Sequence, residues 1–392
     1  MKHIVLLNIW PVIESSGGAE KVFCDLANAL SSMHFKVTAI CCDKKKGRPY
    51  FFLSENVNLI NIGPQTPFYY RNNLINLLSI SPSRRQRHLN RAFLSSKIVY
   101  EALDPVLKKL NPDIYISFQD QSTYILKNLV GTDKPVITMF HNPPSHYIEK
   151  PEFELFKESV ERSAAVQVLM KGFIEDAKTR LQHVPIVHIP NCVPQYPEQA
   201  TLDSHTIICI SRFDRQKRLN LLVDAFAKIA DNYPSWNLHI WGNPKTNPKD
   251  FNSLKYQISK QNLENRVFCK GTTKDIKKEI LNASIYVCSS SYEGFSLAMT
   301  EAMSLGLPVI GCKDCLSVNE LLEGHSVGIV SAPNAIDLSK ALSLLIEDSN
   351  YRKKLGYNAK KYMKHFSQEN IYSQWENLIN KTIKPNNLVI EK

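Results

Sequence analysis

No uninterrupted apolar run in this 392-residue chain approaches the roughly 18 residues of a membrane-spanning helix. The first ten or so residues come nearest to a leader, with Lys2 and His3 ahead of an apolar stretch from Ile4 to Ile13. Asn8 and Pro11 interrupt that stretch and no small-x-small site follows, so a buried first strand is the expectation. Glycine (14) and proline (21) are too few for a fibrous chain, and 43% hydrophobic residues are too many for a disordered one. Repeats and low-complexity tracts are also missing. The nine cysteines are odd in number, and several lie inside apolar runs (Cys41, Cys209, Cys288), which fits reduced core thiols in a cytosolic protein. Cys312-x-x-Cys315 has neither a second such pair nor a histidine pair to complete a zinc site.

Acidic residues are absent from Asn56 to Tyr100, where Arg71, Arg84, Arg85, Arg87, Arg91 and Lys97 stand, with Lys44, Lys45, Lys46 and Arg48 just upstream. This cluster accounts for much of the formal charge of +11. It implies either a polyanionic partner (nucleic acid, an anionic membrane or a phosphorylated substrate) or a plain solvated face.

Short β-branched runs alternate with helical periodicity along most of the chain, predicting parallel sheets covered by helices. In the first half the strands fall at His3–Trp10, Lys36–Cys42, Asp113–Phe118, Pro135–Phe140, Ala164–Leu169 and Ile186–Ile189. A helix is expected from Ala19 to Met33, and residues 44–100 read as a loop-rich insertion. Residues 191–205 follow Pro190 with more proline and little periodicity, as a linker does. The pattern restarts at Thr206–Ser211 and continues through Asn237–Trp241, Arg266–Cys269, Ser284–Ser289, Pro308–Gly311 and Val327–Val330. Helices are expected from Leu219, from Ser296 to Ser304, and over most of 335–383. The domains are therefore 1–190 and 206–365, with a helical tail, 366–392, returning to the first. Ligands of such folds meet the carboxyl ends of the strands, and the cleft between the halves is the expected site.

Four stretches could carry chemistry. Ser289–Gly311 (SSSYEGFSLAMTEAMSLGLPVIG) ends a strand, turns at Glu293-Gly294 and opens a helix whose free N–H groups suit an anion. Ile210–Leu219 (ISRFDRQKRL) puts Arg212 and Lys217 after the first strand of the second half, where a phosphate would be met. Glu14–Glu20 (ESSGGAE) is not a G-x-G-x-x-G, but Gly17 and Gly18 let a ligand approach the backbone at a helix start. His141 stands at the carboxyl end of a first-half strand. Each has an ordinary structural alternative: a solvated helical glutamate, a basic surface loop, a tight turn, a core histidine.

Taken in order, these residues resemble the retaining glycosyltransferases of family 4. The E-x7-E motif is similar to Glu293–Glu301 running on into EAMSLGLPVI, the basic pair to Arg212 and Lys217, the glycine loop to Gly17–Glu20, and the PNGV turn to Pro190–Val193 with Cys192 in place of glycine. The resemblance implies a GT-B fold, two Rossmann-like parallel-sheet domains facing a central cleft. It implies that Arg212 and Lys217 hold and stabilise the donor diphosphate, and that Glu301 binds the ribose hydroxyls. Glu293 would bind the transferred sugar and His141 contact it. Gly294, Phe295 and Ser296 would line the donor, with Gly17 and Gly18 near the diphosphate and Gly18 and Asn191 toward the acceptor. Ser296 would touch a phosphate or cap its helix.

No D-x-D occurs, which agrees with a metal-independent enzyme needing no cofactor beyond its donor. The implied activity moves a hexose or N-acetylhexosamine from a UDP-sugar to a lipid-linked or oligosaccharide acceptor in lipopolysaccharide, capsule or exopolysaccharide assembly. The expected setting is cytoplasmic, peripheral on an anionic membrane. Competing readings are another GT-B chemistry, such as a nucleotide-sugar epimerase or a phosphorylase, and a nucleic-acid binder using the basic face. Against the last, that segment offers few aromatics beyond Phe68-Tyr69-Tyr70 and Phe93, so no nucleic acid is expected.

Overall fold

The computed structural model describes residues 1–63, 80, 81 and 83–383. The chain forms two compact units, one made of Met1–Pro190 together with the residues from Ile371 on, the other of Asn191–Asn370. Arg71 and Phe68-Tyr69-Tyr70 lie outside the described residues.

Among the described residues of the first unit, seven strands form one parallel sheet: β1 His3–Asn8, β2 Lys36–Cys41, β3 Asn58–Asn61, β4 Ile114–Ser117, β5 Val136–Met139, β6 Ala165–Val168 and β7 Ile186–His188. Their order is β3-β2-β1-β4-β5-β6-β7. β1 lies inside the sheet with Leu6 facing Ala39 on one side and Ile116 on the other. Every residue of β1, β4, β5 and β6 is buried, as a sheet covered on both faces requires. Helix α1 (Gly18–Ser32) buries Phe23, Leu26, Ala27 and Leu30, the spacing of one helical face.

The stretch read as a loop-rich insertion is more ordered than its composition suggests. It contributes edge strand β3 and part of a 24-residue helix, α2 (Arg84–Leu107). Ser83 caps α2 by accepting from the Gln86 N–H, and Val99, Leu103 and Leu107, four apart, pack into the core beside Val5, Leu7 and Ile40. Such fully buried side chains contribute about 1.5–3 kcal/mol each.

The second unit repeats the plan, with six parallel strands among its described residues: β8 Thr206–Ile210, β9 Asn237–Trp241, β10 Val267–Gly271, β11 Ile285–Cys288, β12 Val309–Cys312 and β13 Gly328–Ser331. The order is β10-β9-β8-β11-β12-β13. In both sheets the strand order reverses beside the first strand, between β1 and β4 and between β8 and β11, and the crevice at the carboxyl ends of such a pair is the binding position of doubly wound folds. Helices α3 (Leu219–Ala227), α4 (Leu297–Ser304) and α5 (Leu316–Leu322) follow β8, β11 and β12.

Residues 191–205 pack on the second unit. Val193, Ala200 and Leu202 are buried, the Val193 N–H donates to Phe366 O at 2.8 Å, and Arg352 donates from Nε and Nη2 to Leu202 O at 3.2 and 3.1 Å. The last helix, α6 (Gln368–Ile383), buries Ile371, Tyr372, Trp375 and Ile379, and from Ile371 it belongs to the first unit, where Lys2 Nζ donates to Asn380 Oδ1 at 2.9 Å.

Candidate active site

At the crevice of the second sheet two loops leave adjacent strands, Ser211–Arg218 after β8 and Ser289–Ser296 after β11. They are stitched together through the main chain. The Ser291 N–H donates to Gln216 O at 2.8 Å, Gln216 Nε2 to Tyr292 O at 2.7 Å, and Ser289 Oγ to Lys217 O at 2.6 Å. The stitching brings Lys217 Nζ to 2.7 Å from Glu293 Oε1, with side chains only 14% and 11% exposed. Ser290 Oγ donates to the same carboxylate oxygen at 2.6 Å, and Ser317 Oγ, at the start of α5, donates to Glu293 O at 2.9 Å. Burial alone would lower the Lys217 pKa, but the carboxylate beside it more than offsets this and the net shift is upward, so the lysine is charged at neutral pH.

Arg212, by contrast, is exposed, its Nε paired with Asp214 Oδ2 at 3.2 Å. Glu301 sits in the second turn of α4 and accepts a 2.6 Å hydrogen bond from the Tyr196 hydroxyl. The Gly294–Ser296 turn presents main chain more than side chain. Phe295 is buried with its ring in edge contact with Phe366 at 5.4 Å, and Ser296 holds φ 55°, ψ 64°. Its hydroxyl makes no capping bond to α4 and lies 3.8 Å from Cys288 Sγ, so the capping role weighed for it is not the one adopted. Gly294 is buried in the same turn, and Asn191 is buried at the start of the unit.

The first unit has a corresponding crevice. Gln119, just past β4, donates from Nε2 to Asn8 Oδ1 at 2.5 Å, bridging the ends of β4 and β1. Gly17 is the N-cap of α1 and Gly18 its first residue. A Cβ on Gly17 would run into the Glu20 carboxylate, which accepts from Ser15 Oγ at 2.9 Å. His141, following β5, stacks on Phe118 with ring centroids 5.0 Å apart, and its main-chain N–H donates to the Tyr147 hydroxyl at 3.1 Å. Its Nε2 is buried without a partner among the described residues, and burial lowers its pKa to about 4, leaving a neutral ring at physiological pH. Asp120, two residues past Phe118, is pushed up to about 6 by burial.

Residues 196–362, nearly all of the second unit, match the family model described as glycosyl transferases group 1. The chain carries a glycosyl transferases group 1 domain. It is 23% identical over 383 residues to an uncharacterized glycosyltransferase of Haemophilus influenzae, covering 94% of this chain and 97% of the relative. It is also 23% identical over 373 residues, 93% and 95% of the two chains, to a Campylobacter jejuni α-1,4-N-acetyl-D-galactosaminyltransferase named for a diNAcBac-PP-undecaprenol-linked substrate. Among solved structures, a TarM variant of S. aureus in complex with fondaparinux, α-GlcNAc-glycerol and UDP superimposes with a TM-score of 0.76 at 16% identity, covering 97% of this chain and all of that one. The fold is accordingly GT-B.

Several residues that build this candidate site carry no mark in the sequence. Ser290, Ser317 and Tyr196 reach Glu293 and Glu301 across 3, 24 and 105 positions, and only tertiary packing brings the last two close. Arg218 reads as one more basic residue in a loop, yet it joins three segments. Cys312 and Cys315 are buried free thiols, pushed up to about 11 and 12 by burial. Among the described residues no group of three or more His, Cys, Asp or Glu is placed to hold a metal, and no helix is long and apolar enough to cross a membrane.

Proposed function

We propose that this chain is a glycosyltransferase that retains anomeric configuration, takes its hexose or N-acetylhexosamine from a UDP-sugar without metal, and builds cell-surface polysaccharide on a lipid-linked or oligosaccharide acceptor. The observation that carries the reading is the Lys217–Glu293 pair, nearly out of water at 2.7 Å, at the β8–β11 crevice and next to the α4 N-terminus. A departing diphosphate there meets a fixed ammonium, the positive end of a helix and main-chain N–H groups, all set before charge develops. Lys217 and Arg212 take the diphosphate, Arg212 by swinging from Asp214. Glu301 takes the ribose hydroxyls, exchanging the Tyr196 hydroxyl for them. Glu293, oriented by Lys217 and Ser290, accepts from the sugar hydroxyls.

His141, neutral, contacts the sugar as a hydrogen-bonding ring, with Gly17 and Gly18 toward the diphosphate and Gly18 and Asn191 toward the acceptor. The UDP of the TarM complex and the lipid-linked substrate in the Campylobacter relative's name support the donor and acceptor classes. Lys44, Lys46, Arg84, Arg87 and Arg91, with exposed Trp10, Tyr50, Phe52 and Phe93, suit an anionic bilayer surface at the cytoplasmic face.

Melting the protein in EDTA with UDP, GDP or ADP tests the donor assignment. UDP at 100 times its dissociation constant adds about 2.7 kcal/mol, and the resulting rise in Tm should vanish in Glu301→Ala. No shift with any of the three nucleotides overturns the reading.

A further inference from the structure

Arg218 is the first residue of this site whose backbone gives it away: φ 46°, ψ 43°, a left-handed conformation that side chains other than glycine and asparagine seldom adopt. Four of its five N–H donors are in use. Nε donates to Ser289 O at 2.8 Å and Nη2 to Ser290 O at 2.8 Å, both on the loop after β11. Nη1 and Nη2 donate to Asp314 Oδ2 and Oδ1 at 2.7 and 2.8 Å, on the loop after β12. Its main chain belongs to the loop after β8 and starts α3, with Arg218 O accepting from Leu221 N–H at 3.0 Å. One planar guanidinium therefore ties three strand ends together.

The tied atoms surround the catalytic pair. Ser290, held by its carbonyl, turns its hydroxyl to Glu293 Oε1, and Ser289, held likewise, turns its hydroxyl to Lys217 O. Asp314 precedes α5, from which Ser317 reaches Glu293 O. We propose that Arg218 is a positioning residue of the transferase, holding Lys217 and Glu293 at bonding distance without touching the donor itself. A lysine could replace its charge but not its fork, which serves two carbonyls and a carboxylate at once. A partly exposed Arg–Asp pair adds little to stability, so the value of this one lies in the geometry it imposes. The inference rests on the donor reading above for its consequence, not for its structural part.

Two measurements on the full chain separate the parts. Limited acetylation with acetic anhydride, read by peptide mass spectrometry, reports how well Lys217 is held. In Arg218→Gly, which keeps the left-handed backbone without strain, Lys217 should label about fivefold faster while the other lysines label as in wild type. Arg218→Lys should not rescue protection, and Asp314→Asn, which leaves the carbonyl half of the fork intact, should give an intermediate rate. Calorimetric titration with UDP should then show about tenfold weaker binding in Arg218→Gly, an effect lost in the Glu293→Gln background.

Wild-type labelling of Lys217 in Arg218→Gly overturns the proposal. So does a loss of UDP binding that persists unchanged in the Glu293→Gln background. If wild-type protein does not bind UDP, the donor reading fails while the labelling still decides for or against Arg218.

Discussion

Lys217 and Glu293 are each other's main compensation for leaving water, and that makes their substitution informative. Lys217→Met leaves a carboxylate buried beside Ser290 alone and should cost about 3 kcal/mol, lowering Tm, while Lys217→Met with Glu293→Gln should recover most of the loss. Because the folded-state pKa of Lys217 is raised, its contribution is complete below the unfolded value near 10.4 and fades only as pH rises through the folded one. Calorimetric unfolding at pH 7 therefore sees the whole effect. In the proposed reaction Lys217→Ala and Arg212→Ala should each lower kcat by about 100-fold with a smaller change in KM, and near-wild-type turnover in both variants would remove them from the mechanism. His141 shifts the other way: its pKa falls to about 4, so the stability tied to its neutral ring is present above pH 6.5 and is lost as pH drops from there through about 4. His141→Gln should flatten the fall of Tm across that window, and an unchanged slope would mean the ring is not protected as its stacking on Phe118 implies. The candidates at this scale were legible because Glu293, Glu301, Arg212 and Lys217 sit at fixed spacings in short segments. Their partners were not, since Ser317 meets Glu293 O through the pairing of β11 with β12 and Tyr196 meets Glu301 through the packing of the 191–205 segment.

At the scale of elements, the twelve strands anticipated from β-branched runs all form, with ends within two residues of those expected, and β10, β12 and β13 run one or two residues past their anticipated last residue. The one not anticipated, β3, is four residues of Asn-Leu-Ile-Asn at the sheet edge, half-exposed, with too few apolar side chains to announce itself. α2 was hidden differently. Its first two turns carry Arg84, Arg85, Arg87, His88 and Arg91, a composition that reads as surface loop, and its buried face begins only at Ser96. The stop of α4 was plain, because Gly306 adopts φ 86° just past it. A Cβ at Gly306 would come within 2.7 Å of Gln199 Cγ, so Gly306→Ala combines backbone strain with a clash against the 191–205 segment. It should destabilise by about 1–2 kcal/mol in urea unfolding, and a neutral result would mean that the segment yields freely.

For the molecule as a whole, charge is the property that composition conveys best. Binding to vesicles containing anionic lipid at low ionic strength, lost at high salt, is expected of the basic cluster that includes Lys44, Lys46, Arg84, Arg87 and Arg91. Absence of flotation at low salt removes the membrane part of the proposal. The paired α/β design was equally open to reading, since alternation of strand and helix survives any uncertainty in element ends. How the chain threads its two units has a consequence in time. It leaves the first unit at Pro190 and re-enters it only at Ile371, so the second unit is an uninterrupted stretch set inside a divided one. During synthesis the whole of 191–370 emerges before the turns of α6 that place Ile371, Trp375 and Ile379. The second unit can close while the first still waits for its last helix, reversing the usual order in which the N-terminal domain finishes first.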